Sequence, residues 1–299
     1  MRAKPFLKWA GGKSQLLTPI IKAVETAQSD KRTFIYIEPF VGSGAVFLEV
    51  MEQFGNKVKK AVINDRNKDL MQAYRVIRDE LPQLLTELEK LKASYYIQNS
   101  EDLRKSLYYK IRDEFNKREA EWAKQTAMLI FLNKTCYNGL YRVNSKDNFN
   151  VPFGKYKNPG IYEKNKLEAL NSLLQKVTIL NKDFNDMLPY IDEHPNAFVY
   201  LDPPYRPISS TASFNAYAKD VFDDEEQMRL KQFCDHLHEK GSYWLLSNSD
   251  PKNIVADDTF FEELYSDYFI DRVQARRSIN SNASKRGNIH ELLISNFEK

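Results

Sequence analysis

The segment TFIYIEPFVGSGAVFLEVMEQFG opens with the aromatic and β-branched residues of a buried strand and turns through glycines. It then switches to helical spacing at Val46, Phe47, Val50, Met51 and Phe54. Gly55 is the expected stop of that helix, and a second short strand pattern, KAVIND, follows at once. Strand, glycine turn, helix and strand make a βαβ unit and predict a parallel sheet. The pattern then breaks. From about residue 67 to 165 the chain reads as mainly amphipathic helix, with a polar tract, YNGLYRVNSKDNFNVPFGKYKNPG, near its end. Strand patterns return in KVTILNKDF, NAFVYLDPP, GSYWLLSNSD and HELLISNF. Between two of these, DDEEQMRLKQFCDHLHEKG reads as a helix with Asp223 as N-cap, Glu226 three residues later and Gly241 as terminator. The expected fold is α/β, a Rossmann-like mixed sheet interrupted by an inserted, mainly helical domain. Residues 1–66 and 166–299 would form the catalytic domain and 67–165 the insert.

Composition narrows the class without naming a partner. At 299 residues and 42% hydrophobic, the chain can bury one large core with a sizeable insertion. Its net charge of +3 and pI near 8.5 are too mild to demonstrate a polyanionic ligand, so local clustering has to carry that argument. Cys136 and Cys234 are widely separated, which suggests neither a disulfide framework nor a zinc site and fits a reducing cytosol. The start, MRAKPFLKWAGGK, lacks the apolar stretch of a signal peptide, and runs such as AMLIFL are too short to cross a bilayer. A soluble cytoplasmic protein with no membrane association is expected. His194, His236, His238 and His290 show no metal spacing with acids or cysteines, so no metal is expected.

Two local motifs carry chemistry. EPFVGSG places a glycine turn at the carboxyl end of the first strand, where doubly wound sheets bind ligands. Asp65, 21 residues after Gly44 and at the end of the second strand, has the spacing of an acid that holds ribose hydroxyls. The third glycine of the dinucleotide fingerprint is missing, so NAD is a poor match; GGK in KWAGGKSQLL likewise lacks the rest of a P-loop. In LDPPY, Pro203 and Pro204 stiffen the turn that holds Asp202 and Tyr205. Neither proline can donate a hydrogen bond, but the carbonyls remain acceptors. A carboxylate beside a carbonyl suits an exocyclic amine, and Tyr205 offers a face for a planar ring. Taken alone, the tetrapeptide reads as a rigid loop with a capping aspartate; the preceding strand, the glycine turn and Asp65 favour a nucleobase pocket.

KWAGGK, EPFVGSG, IND, DF and DPPY, in that order and with an insert before the last two, resemble the DNA adenine methylase (Dam) family of N6-adenine methyltransferases. The resemblance runs from Pro5 to about Phe297, and the insert resembles the recognition region of members that methylate adenine in GATC, restriction-modification methyltransferases in particular, with orphan and phage enzymes sharing these motifs. It implies an S-adenosylmethionine-dependent methyltransferase fold, base flipping and direct in-line transfer to N6, without a metal. Trp9, Ala10 and Lys13 would contact S-adenosylmethionine. Phe40, Gly42 and Gly44 would line its methionine side, Asp65 its ribose, and Asp183 with Phe184 its adenine. Asp202, Pro203, Pro204 and Tyr205 would take the target base, with Asp202 also bordering the cofactor. Arg142 resembles an arginine that reads a guanine, Lys8 a further guanine contact, and Tyr137 and Asn138 residues that enter the stack. Ser209 and Ser210 would contact phosphate. The implied partner is double-stranded DNA, bound by a monomer, with a cognate restriction endonuclease acting in the same system without a stable complex.

The insert supports this reading on its own residues. Between Lys134 and Gly160, five cations, Lys134, Arg142, Lys146, Lys155 and Lys157, face one acid, Asp147. Interleaved with Tyr137, Tyr141, Phe149, Phe153 and Tyr156, they supply charge for phosphates and planar groups for bases. A second cluster, Arg272, Arg276, Arg277, Lys285 and Arg286 against Asp271 alone, is expected to form a loop near DNA, with a solvated hairpin tip as the alternative. The alternatives are an RNA base methyltransferase, which the basic helical insert disfavours, and a non-catalytic DNA-binding module, which would need neither pocket.

Overall fold

The computed structural model describes residues 2–9, 11–13, 15–30, 32–194, 197–206, 222–276 and 288–299. Ala10, Ser209 and Ser210 lie outside the described residues, as do Arg277, Lys285 and Arg286 of the second basic cluster. In chain order, the first half contains α1 (Leu17–Ala27), β1 (Phe34–Glu38), α2 (Ala45–Phe54), β2 (Val58–Ile63), α3 (Lys68–Asp79), α4 (Leu81–Tyr96), α5 (Glu101–Lys117) and α6 (Trp122–Thr135). The second contains α7 (Lys164–Leu174), β3 (Val177–Ile179), α8 (Leu188–Asp192), β4 (Phe198–Leu201), α9 (Asp224–Glu239), β5 (Tyr243–Ser249), α10 (Phe260–Leu264), β6 (Phe269–Arg276) and β7 (Asn288–Ser295). None of the described helices is long and apolar enough to cross a membrane.

Two compact units emerge from the backbone: Met1–Gly12, Gly42–Leu48 and Asp65–Asn181 in one, and Lys13–Val41, Glu49–Asn64 and Lys182–Lys299 in the other. In the second unit the strands pair in the order β2-β1-β4-β5-β7-β6. The pairs β1–β2, β1–β4 and β4–β5 are parallel; β5–β7 and β6–β7 are antiparallel, so the sheet is mixed. The order reverses between β1 and β4, a topological switch point. Ile37 is level with Val199, so the chain leaves both strands on the same side, at Pro39 and at Asp202. All four residues of β4, FVYL, are buried, as expected of a strand covered on both faces. Polar atoms inside this core are paired: the Tyr36 hydroxyl donates to Glu38 Oε2 at 2.7 Å, and the Tyr200 hydroxyl lies 2.8 Å from Ser247 Oγ.

Asp223 caps α9 as expected, accepting from the Glu226 amide at 3.1 Å, while the Glu226 carboxylate turns to Arg229 at 2.9 Å. Gly241 follows the helix with φ of +73°. One expectation is corrected. Residues 269–276, which include Asp271, Arg272 and Arg276 of the expected loop, form β6, paired with β7 over its whole length. Its charges sit on an edge strand, where charged side chains are tolerated and guard against stray pairing. Arg272 is held by the buried Asp250, 2.8 Å from its Nε, and by Glu262.

In the first unit, α6 is buried almost all round, from Thr126 to Asn133, and α3, α4 and α5 pack on it. It is therefore a core helix, not an amphipathic one. The polar tract after α6 is tied to these helices by its backbone. Tyr108 donates to the Val151 carbonyl at 2.7 Å, Tyr96 to that of Pro159 at 2.7 Å, and Asn116 both donates to and accepts from Phe149. Phe149 and Phe153, read as planar groups for bases, are core residues here, at 1% and 7% exposure. Their rings pack against Phe115 and Tyr108.

Candidate active site and nucleic-acid interface

At the end of β4 the chain enters the proline turn. Pro203 is buried; Pro204 and Tyr205 are exposed. Lys13 Nζ lies 2.6 Å from Asp202 Oδ1 and donates to the Tyr205 hydroxyl at 2.8 Å. The lysine side chain is only 5% exposed, so this is a desolvated pair whose members need each other. Ser247 Oγ also donates to Asp202 Oδ1, at 3.2 Å. Among the described residues, both contacts therefore use Oδ1, and the second carboxylate oxygen keeps its acceptor capacity. Burial pushes the Asp202 carboxyl up to about 6, against the pull of the Lys13 ammonium and the two hydrogen bonds. Burial, reinforced by the Glu291 and Asp202 charges, pushes the Tyr205 hydroxyl upward, so it stays a neutral phenol. Arg206 anchors the far end of the turn. It meets Asp224 at 2.6 Å and Asp258 at 2.9 Å, and its guanidinium stacks 4.0 Å from the Phe260 ring centroid.

A second cluster in the same unit joins Phe40, Asp183 and Phe184. Asn64 brings their segments together: its side-chain nitrogen donates to the carbonyls of Pro39 and Lys182, both at 3.0 Å, and its oxygen accepts from the Lys182 amide at 2.9 Å. Phe40 and Phe184 lie 5.4 Å apart, with Phe222 against both. Arg229 grips both oxygens of Asp183, at 3.0 and 2.8 Å, and lies over the Phe184 ring at 4.3 Å. Neither Asn64 nor Arg229 stood out in the sequence as a residue that places these groups.

The glycine turn belongs to the other unit. Gly42 and Gly44 have φ of +50° and +77°, a region that L side chains avoid. A Cβ on Gly42 would stand 3.3 Å from the Trp9 ring, and one on Gly44 2.6 Å from the Tyr74 hydroxyl. Asp65 accepts from the Gly42 amide at 3.0 Å and the Asn67 amide at 2.8 Å. Burial raises its carboxyl from the ordinary range, against these two donors. Trp9 stacks on Tyr141 at 4.8 Å, and Tyr141 in turn donates to Asp69 at 2.8 Å.

Asn133 gathers the predicted base-reading residues of this unit. Fully buried on α6, it accepts from the Lys8 amide at 2.9 Å and donates to the carbonyls of Lys8 and Gly139 at 2.9 and 3.0 Å. It thus ties Lys8, 125 residues away in sequence, to the turn Tyr137-Asn138-Gly139. Asn138 has φ of +56°, and the Lys8 stem lies where a Cβ on Gly139 would be. Tyr137 projects at 55% exposure. Arg142 is exposed and steadied by Asn150, whose side-chain oxygen accepts from its Nε at 2.7 Å. Of the other cations in the tract, Lys134 is half-buried and Lys155 pairs with Glu101 at 3.0 Å.

A reversal of strand order with motif-bearing turns at the carboxyl ends of β1 and β4 defines a doubly wound α/β fold. The chain belongs to the D12 class N6 adenine-specific DNA methyltransferase family, whose model matches residues 9–279. It is similar to the type II methyltransferase M.MjaIII of Methanocaldococcus jannaschii, at 44% identity over 99% of this chain and 100% of that one. It is also similar to the type II methyltransferase M1.LlaDCHI of Lactococcus lactis subsp. cremoris, at 36% identity over 98% of this chain and 95% of the relative. The DNA adenine methylase of Escherichia coli K12 is 31% identical over 97% and 94% of the two chains. The chain is accordingly an enzyme that methylates adenine in DNA at N6.

Proposed function

We propose that the enzyme methylates adenine in double-stranded GATC, turning the base out of the duplex into the Asp202–Tyr205 turn. The observation that carries this reading is the Asp202 carboxylate, which Lys13 and Ser247 hold through Oδ1 while, among the described residues, its other oxygen is left to accept. Extruding a base costs a few kcal/mol; stacking on an aromatic ring such as Tyr205 returns about 1–3 kcal/mol. Asp202 and the Pro203 carbonyl accept the two hydrogens of the adenine amine, which turns the nitrogen lone pair away from the ring. Most of the acceleration is then positioning and fixed dipoles, with no covalent enzyme intermediate. Lys8 and Arg142 read guanines, with the arginine fork matched to O6 and N7, and Tyr137 with Asn138 enters the stack. The enzyme works as a monomer in a reducing cytoplasm.

The residues present fit S-adenosylmethionine. The positive φ at Gly42 and Gly44 shapes the turn beside Asp65, which is fixed by two amides with lone pairs to spare for ribose hydroxyls. Phe40 and Phe184 offer apolar faces, and Asp183 an acceptor, for an adenine ring. Trp9, Ala10 and Lys13 complete the proposed contacts. When bound, S-adenosylmethionine supplies the methyl for direct in-line transfer.

The test is labelled methyl transfer to three short duplexes: unmethylated GATC, the same site methylated at adenine, and a scrambled site. Label in the first alone is the expected result; equal labelling of all three would move the specificity off GATC. A pH profile follows from Asp202. Its carboxylate form is the acceptor, so kcat is expected to rise with pH through about 6 and level off above it. Stability responds oppositely at this group. The native state holds a proton there more tightly than the unfolded chain, so its contribution favours folding at low pH and is lost as pH rises through about 6. A kcat independent of pH between 5 and 7, taken as a rough window around that value, would contradict the assignment.

A further inference from the structure

The antiparallel end of the sheet carries an acid that the proposed chemistry does not use. Glu291 sits in β7 in the run HELLIS and is 9% exposed. A carboxylate in an apolar strand is costly unless paired. Its partner is the Tyr205 hydroxyl, which donates to Glu291 Oε2 while accepting from Lys13 at 2.8 Å. Strand register explains the meeting. Glu291 pairs with Ser249 and Leu293 with Ser247 across β5 and β7, so Glu291 shares the face from which Ser247 reaches Asp202. One sheet face thus supports both ends of the proline turn, Asp202 through Ser247 and Tyr205 through Glu291.

The prolines fix the backbone of the turn but not the side-chain torsions of Tyr205, whose ring is 36% exposed. A phenylalanine would offer the same face for stacking. What the tyrosine adds is a hydroxyl bonded to a buried carboxylate, a strong, charge-assisted contact. We propose that Glu291 is a positioning residue for the reaction: it acts through the Tyr205 hydroxyl to hold that ring in the plane where the target base stacks. This rests on the assignment of Tyr205 as the base platform.

Methyl transfer to long unmodified DNA, which presents every short adenine site, tests it independently of the GATC assignment. Glu291→Gln is expected to lower kcat about tenfold, the scale of one hydrogen bond, with KM for DNA and S-adenosylmethionine changed less than about twofold. Tyr205→Phe is expected to show the same split. In the double variant the losses do not multiply, because Glu291→Gln takes the charge from, and Tyr205→Phe removes, the same Tyr205–Glu291 contact, while the Lys13 contact is lost only with the hydroxyl. Wild-type kcat in Glu291→Gln, or multiplied losses in the double variant, would overturn the proposal. Should Glu291→Gln fail to fold, Tyr205→Phe decides alone, and full kcat there overturns it. Tyr205→Ala separates the two ideas: near-normal transfer without the ring would remove the platform assignment itself.

Discussion

Asp202→Ala is expected to lower kcat by about a thousandfold or more while DNA binding persists, the scale seen when a preorganised polar group is removed from a reacting centre. The geometry explains why the effect should fall on the chemical step. Asp202 lies one residue beyond β4, and among the described residues Lys13 and Ser247 both contact it at Oδ1. The carboxylate is thus oriented by Lys13 and Ser247 and not by the substrate, and its second oxygen meets the amine already aligned. Alanine removes that acceptor and also the partner of an ammonium whose side chain is 5% exposed, so some stability is lost with it. Asp202→Asn separates these effects. It keeps the shape and one acceptor oxygen but presents no charge to Lys13. Transfer of labelled methyl, gel-shift binding and thermal melting should be measured on both variants. If binding and transfer decline together in Asp202→Asn, the carboxylate is part of the scaffold and not of the chemistry.

Gly44→Ala is expected to destabilise the protein by about 2–5 kcal/mol and to weaken binding of S-adenosylmethionine. Two separate costs combine. The residue has φ of +77°, where a Cβ costs about 1–2 kcal/mol, and that Cβ would stand 2.6 Å from the Tyr74 hydroxyl, an overpacking of about 1–3 kcal/mol. Tyr74 cannot readily retreat. It is fully buried, its hydroxyl donates to the Gly42 carbonyl at 3.2 Å, and its ring meets Phe6 edge-on at 5.1 Å. Adding Tyr74→Phe to Gly44→Ala should recover the steric part and leave the backbone strain. Thermal melting and calorimetric titration with S-adenosylmethionine measure both quantities. An unchanged melting temperature in Gly44→Ala would show that the turn can adopt another conformation at little cost.

Much of the frame was legible along the chain because it is written in local periods. TFIYIEPFVGSGAVFLEV announces β1, its turn and α2 through a change from strand to helical spacing, and Asp223 with Glu226 announces the start of α9. The edge strand β6 is not legible in the sequence because Asp271, Arg272 and Arg276 break the apolar alternation that marks a half-buried strand. The burial of Phe149 and Phe153 is hidden for a related reason. In a tract without secondary-structure period, composition does not say which aromatic faces the helices and which faces outward.

The sequence by itself determined the motif order, the strands that carry the motifs, the stiff Asp202–Tyr205 turn, and membership of the N6-adenine methyltransferase family. The tertiary structure decided which distant groups hold them. Asn133 ties Lys8 to Gly139, Arg229 grips Asp183, Lys13 meets Asp202, and Glu291 receives the Tyr205 hydroxyl. Each of these residues is an ordinary polar side chain in its own segment, and its significance comes from being buried opposite one particular partner. A signal existed for two of them: Asn133 in AMLIFLN and Glu291 in HELLIS are polar residues inside apolar runs, which burial makes costly unless something answers them. What answers them depends on contacts 86 and 125 residues away, set by strand register and helix packing, and no local pattern encodes those.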